Sequence, residues 1–184
     1  MIASYWLEEQ LAAFVCHNYA VMTLQDEVAQ LFLEARDDVY RYLMSLGLGP
    51  DQAQEGAQEV FVRLYATLKK GEVIQNPRAW IFRVAHNLGL KVRARQGTHR
   101  SLDHDLESLL PGPLMDPEES LLKREQGARM RSAIQQLSDQ QRRCLFLRMQ
   151  GLRYPEIGAV LGIRASTVGE FLRRAISRLR KDEL

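Results

Sequence analysis

Two stretches of this 184-residue chain carry side chains suited to gripping a polyanion. Near the end, LSDQQRRCLFLRMQGLRYPEIGAVLGIRASTVGEFLRRAISRLR (137–180) sets Arg164, Ser166, Thr167, Glu170, Arg173, Arg174 and Arg178 on one side of a helical pattern. Guanidinium and hydroxyl groups donate to phosphate oxygens and base edges, and on a helix entering the major groove the earlier residues lie nearest the bases. Glu170 repels phosphate, but its carboxylate can accept from a cytosine amino group; alternatively it pairs with Arg173 or Arg174 on a solvated surface. Arg142, Arg143, Arg148 and Arg153 would extend the same cationic surface or form an ordinary solvated face. Nearer the middle, NPRAWIFRVAHNLGLKVRARQ (76–96) interleaves Asn76, Arg78, Arg83, His86, Asn87 and Lys91 with Trp80. Cations beside an aromatic platform suit a separated nucleic-acid strand, although the place of Trp80 on the apolar stripe also suits burial. Phe82 lies off that stripe and is a weaker candidate for stacking.

Catalytic chemistry finds little support. His99 and His104 flank Asp103, but no cysteine or histidine set completes a metal or nucleophile site. Cys16 and Cys144 stand far apart within apolar patterns, which suits reduced, partly buried thiols better than a disulfide framework. The expectation is a non-enzyme without catalytic residues, metal or cofactor.

Charge is divided along the chain. The net charge is only +2, yet residues 1–68 hold 3 basic and 10 acidic groups, and residues 69–100 hold 8 and 1. Residues 101–125 return to 2 and 7, and residues 126–184 end with 12 and 5. Two basic blocks could grip a polyanion while the acidic blocks meet another partner or repel misplaced DNA.

These side chains need helices to hold them. Val28, Leu31, Phe32, Ala35, Val39, Tyr42, Leu43 and Leu46 recur at threes and fours, predicting a helix from Leu24 to Leu46. GLGP at 47–50 stops it, and Asp51 can cap a second helix to about Leu68, with Ala57, Val60, Phe61, Leu64, Tyr65 and Leu68 inward. Asn76 can cap a third, with Pro77 in its first turn and Trp80, Ile81, Val84, Ala85, Leu88 and Val92 as its stripe. The segment from Gln96 to about Pro117 reads as an acidic linker. A helix then resumes after Glu118 and runs toward Leu137. Beyond it, Ser138 caps a helix to about Met149, Gly151 turns, Tyr154–Leu161 forms a short helix, and Gly162 breaks it before a longer helix that ends near Arg180. That succession is a helix-turn-helix, with Ile157, Val160, Leu161 and Ile163 at its elbow and Val168, Leu172, Ala175, Ile176 and Leu179 anchoring the last helix.

The fold class expected is all-α: two small helical domains joined by an acidic flexible linker, the second containing a helix-turn-helix. The domains span 24–96 and 126–184, separated by a linker and approach helix at 97–125. Residues 1–23 form an N-terminal extension, either an extra helix bearing Trp6, Leu7, Leu11, Phe14 and Val15 or a poorly ordered segment. Hydrophobic residues at 46% exclude a wholly disordered chain, and no run approaches 18 apolar residues. Glu8 and Glu9 stand where a secretory signal needs a basic region, so the expectation is a soluble cytoplasmic protein with no membrane insertion.

EGAQEVFVRLYATL at 55–68 resembles the region 2 helix of extracytoplasmic-function sigma factors, minimal members of the bacterial sigma-70 family. NPRAWIFRVAHNLGLKVRARQ resembles the promoter-melting part of that region. DPEESLLKRE at 116–125 is similar to the approach to region 4, and residues 137–180 resemble region 4 nearly throughout. The resemblance implies a non-catalytic transcription-initiation subunit that binds core RNA polymerase and recognises the −10 and −35 promoter elements. It implies that Glu55, Gln58, Glu59 and Phe61 engage the polymerase, with Phe61 also packing inside. The loop from Thr67 to Asn76 would cradle an extruded −10 base. Asn76, Arg78, Trp80, Arg83, His86, Asn87 and Lys91 would support melting and hold the non-template strand, and Arg164, Ser166, Thr167, Glu170, Arg173, Arg174 and Arg178 would read the −35 duplex. An anti-sigma factor is a further candidate partner, and association with the nucleoid follows from polymerase binding. Two departures stand out. Glu55, Gly56 and Ala57 replace the Asp-Leu-Val type of sequence before Gln58 and Glu59, and Gly169–Glu170 replaces a basic-polar pair. The rival reading is a free-standing helix-turn-helix regulator that does not need core polymerase.

Overall fold

A computed structural model describes residues 23–96 and 129–182, save residue 131. Its helices are α1 (Leu24–Ser45), α2 (Pro50–Lys69), α3 (Pro77–Gln96), α4 (Asp139–Met149), α5 (Tyr154–Leu161) and α6 (Ala165–Asp182), with helical turns before Leu137 that lead into α4. The expected N-terminal extension, nearly all of the acidic linker and the start of the approach helix lie outside the described residues, as do Cys16, His99, Asp103 and His104. No strand occurs among the described residues, and no helix among them is long and apolar enough to cross a membrane.

Local chemistry sets the helix ends. Thr23 and Asp26 form a reciprocal capping box on α1, the Thr23 amide donating to Asp26 at 3.0 Å. Hydrogen bonds from the Thr23 side chain and backbone hold the Asp26 carboxyl below its ordinary pKa. Ser138 and Gln141 do the same for α4. On α2 the cap is Gly49 rather than Asp51: Pro50 takes the first helical position, where its missing N–H costs nothing, and Gln52 Oε1 accepts from the Gly49 amide. Asn76 caps α3 as its sequence suggests, accepting from the Ala79 amide at 3.0 Å.

Helices α1, α2 and α3 close around Val39, Leu43, Leu46, Ala53, Val60, Leu64, Ile81 and Ala85, all essentially inaccessible. Gly56 is part of this closeness. A Cβ there would sit 2.9 Å from a Leu43 methyl and 3.0 Å from a Leu88 methyl, so the helix propensity sacrificed by glycine permits tight packing of three helices. In the second unit, α4, α5 and α6 pack around Cys144, Leu147, Leu152, Ile157, Val168, Leu172 and Ala175. Burial pushes the Cys144 thiol up to about 11, leaving it a buried, unreactive side chain. Ile176, expected to anchor α6, is instead 44% exposed because it falls beside the buried stripe rather than on it.

The two units share one apolar cluster. The ring of Tyr42 on α1 stacks on Phe146 of α4 with centroids 5.4 Å apart, and Phe82 of α3 meets both rings edge-on at 5.5 and 6.1 Å. The Tyr42 hydroxyl lies 3.0 Å from His86 Nδ1. Helix α3 therefore has two buried sides. Ile81 and Ala85 belong to the apolar stripe read from its sequence, whereas Phe82 and His86 are buried where the second unit docks.

Two consequences can be measured. A Cβ at Gly158 would lie 2.6 Å from the Ile163 carbonyl oxygen, where the helix-turn-helix folds back on itself. Gly158→Ala is expected to destabilise the protein by about 1–3 kcal/mol, since backbone must shift; an unchanged denaturation midpoint would remove this constraint. Burial, followed by the charge of Arg143, lowers the His86 pKa to about 4 from 6.5. The neutral native imidazole thus contributes stability in full above pH 6.5 that is lost as pH falls toward 4. Between pH 7 and 5 the loss is on the order of 2 kcal/mol. His86→Asn keeps an acceptor near Nδ1 and does not titrate, so urea midpoints at the two pH values should converge; equal pH dependence in both proteins would show that His86 is not responsible.

Candidate nucleic-acid and polymerase interfaces

On α2, Glu55, Gln58 and Glu59 are exposed. Arg63 donates to Glu59 at 2.7 Å, a solvated pair that trims the acidic field without removing it. Phe61 does not join this surface. It is 5% exposed and packs edge-on against Phe32 with centroids 5.0 Å apart, so a direct polymerase contact by Phe61 is corrected to a core role. Val62, not singled out from the sequence, is 61% exposed beside these residues.

Helix α3 divides the middle set. Arg83, Asn87 and Lys91 recur every four residues on its exposed side, and Arg95 continues the row. The other four sequence candidates meet the rest of the protein. Trp80 is half-buried and lines an open cleft of about 410 Å³ with Ile74, Asn76, Arg83, Glu156 and Val160. Asn76 caps the helix and donates through Nδ2 to Glu156 at 2.8 Å. Arg78 donates through Nε to the Gln150 carbonyl at 2.9 Å and through Nη2 to Asp38 at 2.7 Å and to the Gln150 amide oxygen, while lying 5.8 Å from the Phe82 ring centre. His86 is 5% exposed and bonded to Tyr42, so it is no surface ligand. Burial also raises the Tyr42 pKa, so the hydroxyl keeps its proton and can donate to the neutral imidazole.

Helix α6 carries the third set. Arg164, Ser166, Glu170, Arg173 and Arg174 are exposed, with Thr167 partly so. Glu170 pairs with Arg174 one turn later, the bland alternative raised by the sequence. Arg178 is exposed but donates to the Gln136 carbonyl at 3.1 Å, which ties α6 to the chain preceding α4. The arginines of α4 are also partly committed. Arg142 pairs with Asp139 at 2.5 Å, Arg148 donates to the Leu152 carbonyl at 3.0 Å, and Arg143 lies close enough to lower the pKa of His86. Arg153 remains exposed. Among the described residues no group of three or more His, Cys, Asp or Glu is placed to hold a metal ion.

Comparisons with known proteins align with this division. Residues 31–98 match the model for sigma-70 region 2, and residues 128–179 match the model for sigma-70, region 4. The ECF RNA polymerase sigma factor SigE of Mycolicibacterium smegmatis is 29% identical over 166 residues, covering 89% of this chain and 63% of its own length. The ECF RNA polymerase sigma factor RpoE of Cereibacter sphaeroides is 29% identical over 171 residues, covering 88% of this chain and 90% of itself. Among solved structures, the sigma factor RpoE of Bartonella quintana, in complex with the anti-sigma factor NepR, shares the fold with a TM-score of 0.59 at 18% identity. It covers 85% of this chain and 96% of that one. With both family regions in order on helices of the matching fold, the chain belongs to the sigma-70 family, as an extracytoplasmic-function sigma factor that directs transcription initiation.

Proposed function

We propose that the chain divides into a region 2 domain at 24–96 and a region 4 domain at 126–184, and that each unit has its own nucleic-acid face. The observation that carries this reading is the pair of exposed cationic sets, Arg83, Lys91 and Arg95 on α3, and Arg164 in the turn before α6 with Arg173 and Arg174 on α6, in different units. Helix α6 follows the turn of the helix-turn-helix and would lie in the major groove of the −35 element, Ser166 and Thr167 toward the bases and Arg164 and Arg173 toward phosphates. Glu170 restrains Arg174 in the free protein and becomes a base acceptor only if that pair opens. The row on α3 would track the melted non-template strand, and the Trp80 cleft has the scale of a ligand site, fit to receive an unstacked base.

Glu55, Gln58 and Glu59 form the proposed docking surface for core RNA polymerase, with Val62 as an apolar contact among them. The polymerase performs the chemistry; this chain supplies promoter recognition and strand separation. It would then reside in the cytoplasm and reach the nucleoid with polymerase, and an anti-sigma factor is the proposed negative partner. Co-elution with bacterial core polymerase and promoter-dependent initiation test the reading; DNA binding without core association would favour the free-standing regulator.

Residue-level outcomes follow from the exposed positions. Gln58→Ala with Glu59→Lys should weaken holoenzyme assembly at least about tenfold, a change typical of removing central polar contacts; unchanged affinity would remove this interface. Arg164→Ala with Arg173→Ala should lower the salt dependence of duplex binding by about two in log–log slope, since each phosphate contact contributes roughly 0.9. An unchanged slope would mean that both arginines are merely solvated.

A further inference from the structure

The cleft beside Trp80 is walled by both units. Ile74, Trp80 and Arg83 come from the first, and Ala159 and Val160 of α5 from the second. At about 410 Å³ it has the scale of a small-ligand site. Its polar groups differ in how far they are committed. Asn76 accepts from the Ala79 amide and donates to Glu156, whose other oxygen accepts from the Arg153 amide at 2.7 Å. The side chains of Glu72, Gln75 and Arg83 line the same cleft and make no hydrogen bond or ion pair among the described residues. A carboxylate, an amide and a guanidinium without partners thus share one cleft with an indole.

We propose that this cleft binds a free guanine nucleotide: the base lies against Trp80, Glu72 accepts from its N1–H and exocyclic amino group, and Arg83 takes the phosphate. This assignment rests on reading the cleft as fit for an unstacked base, and it adds the identity of the base and its source. An aromatic platform accepts any base, so selectivity must come from the base edge. An ionised carboxylate offers only acceptors. Guanine meets it with two adjacent donors. Adenine and cytosine set a ring-nitrogen lone pair beside the amino group, which a carboxylate repels, and uracil and thymine offer a single N–H between two carbonyls. Gln75 supplies a donor for guanine O6. Arg83 is the one guanidinium lining the cleft among the described residues, which matches the single phosphate of a mononucleotide. Because the walls come from both units, an occupied site resists their separation.

The test uses the full chain carrying Trp6→Phe, which leaves Trp80 as its one tryptophan. Guanosine 5′-monophosphate should change Trp80 emission saturably, at a concentration at least about tenfold below that needed for adenosine 5′-monophosphate, since a hydrogen bond to a charged group is worth a factor of that order. Glu72→Gln should weaken the guanine nucleotide about tenfold and leave the adenine nucleotide unchanged. Ala159→Phe, at an exposed position of α5, fills the cleft from the second unit and should weaken guanine nucleotide binding at least about tenfold, with circular dichroism confirming retained helix. The proposal is overturned by no saturable response to the guanine nucleotide, by equal affinity for the two nucleotides, by a preference that survives Glu72→Gln, or by unchanged affinity in folded Ala159→Phe. A single-stranded oligonucleotide of about 12 nucleotides separates the two sources of a base. If the strand changes Trp80 emission and the free nucleotide does not, the base-receiving cleft stands and the free-nucleotide site falls. If neither does, both fall. If both do, the free nucleotide should displace the strand, and failure to displace it overturns the proposal.

Discussion

Helix α3 has to be buried on two sides at once, and the contact among Tyr42, Phe82 and Phe146 is what makes that work. One side completes a three-helix core with α1 and α2; the other receives α4 and α5. Aromatic pairs of this geometry contribute roughly 0.5–1.5 kcal/mol each beyond their burial. Polar groups at the rim set the orientation. Arg78 spans Asp38 and Gln150, and Asn76 meets Glu156, so sliding the units past each other would strand charged or amide groups.

That docking governs what the surface can offer. A helix with two buried sides has a narrow exposed strip, and on α3 its polar members are Arg83, Asn87, Lys91 and Arg95. The remaining polar side chains at its start are enlisted in holding the units together. His86 shows the electrostatic side of the same constraint: enclosed beside Arg143, it is retained as neutral imidazole and works as a packing and hydrogen-bonding group. Helix α6 lies away from this junction and keeps a broad cationic surface, tempered by the Glu170–Arg174 pair.

Gly56 and Gly158 illustrate how departures from helix propensity are resolved by packing. Gly56 looks costly inside α2, yet its missing Cβ is where Leu43 and Leu88 reach across. Gly158 lies inside α5 and faces the backbone of the following turn, which allows α5 and α6 to meet at the angle a helix-turn-helix requires. In both, a weak local preference is outweighed by contacts between elements that no local pattern records.

The sequence by itself determined the helices and their order, because apolar spacing and capping side chains act over only a few residues. Ser138, Asn76, Gly151 and Gly162 mark boundaries through their own hydrogen bonds or backbone freedom. It also indicated the family, since the charged and aromatic positions of two regions recur in order. Tertiary structure alone decided which functional-looking side chains remain accessible. His86 and Arg78 resemble surface ligands in the sequence, but their fates depend on Tyr42 and Gln150, partners contributed by other parts of the chain. Helical periodicity reports one apolar face; it cannot report a second face that becomes buried only when a distant part of the chain docks on it.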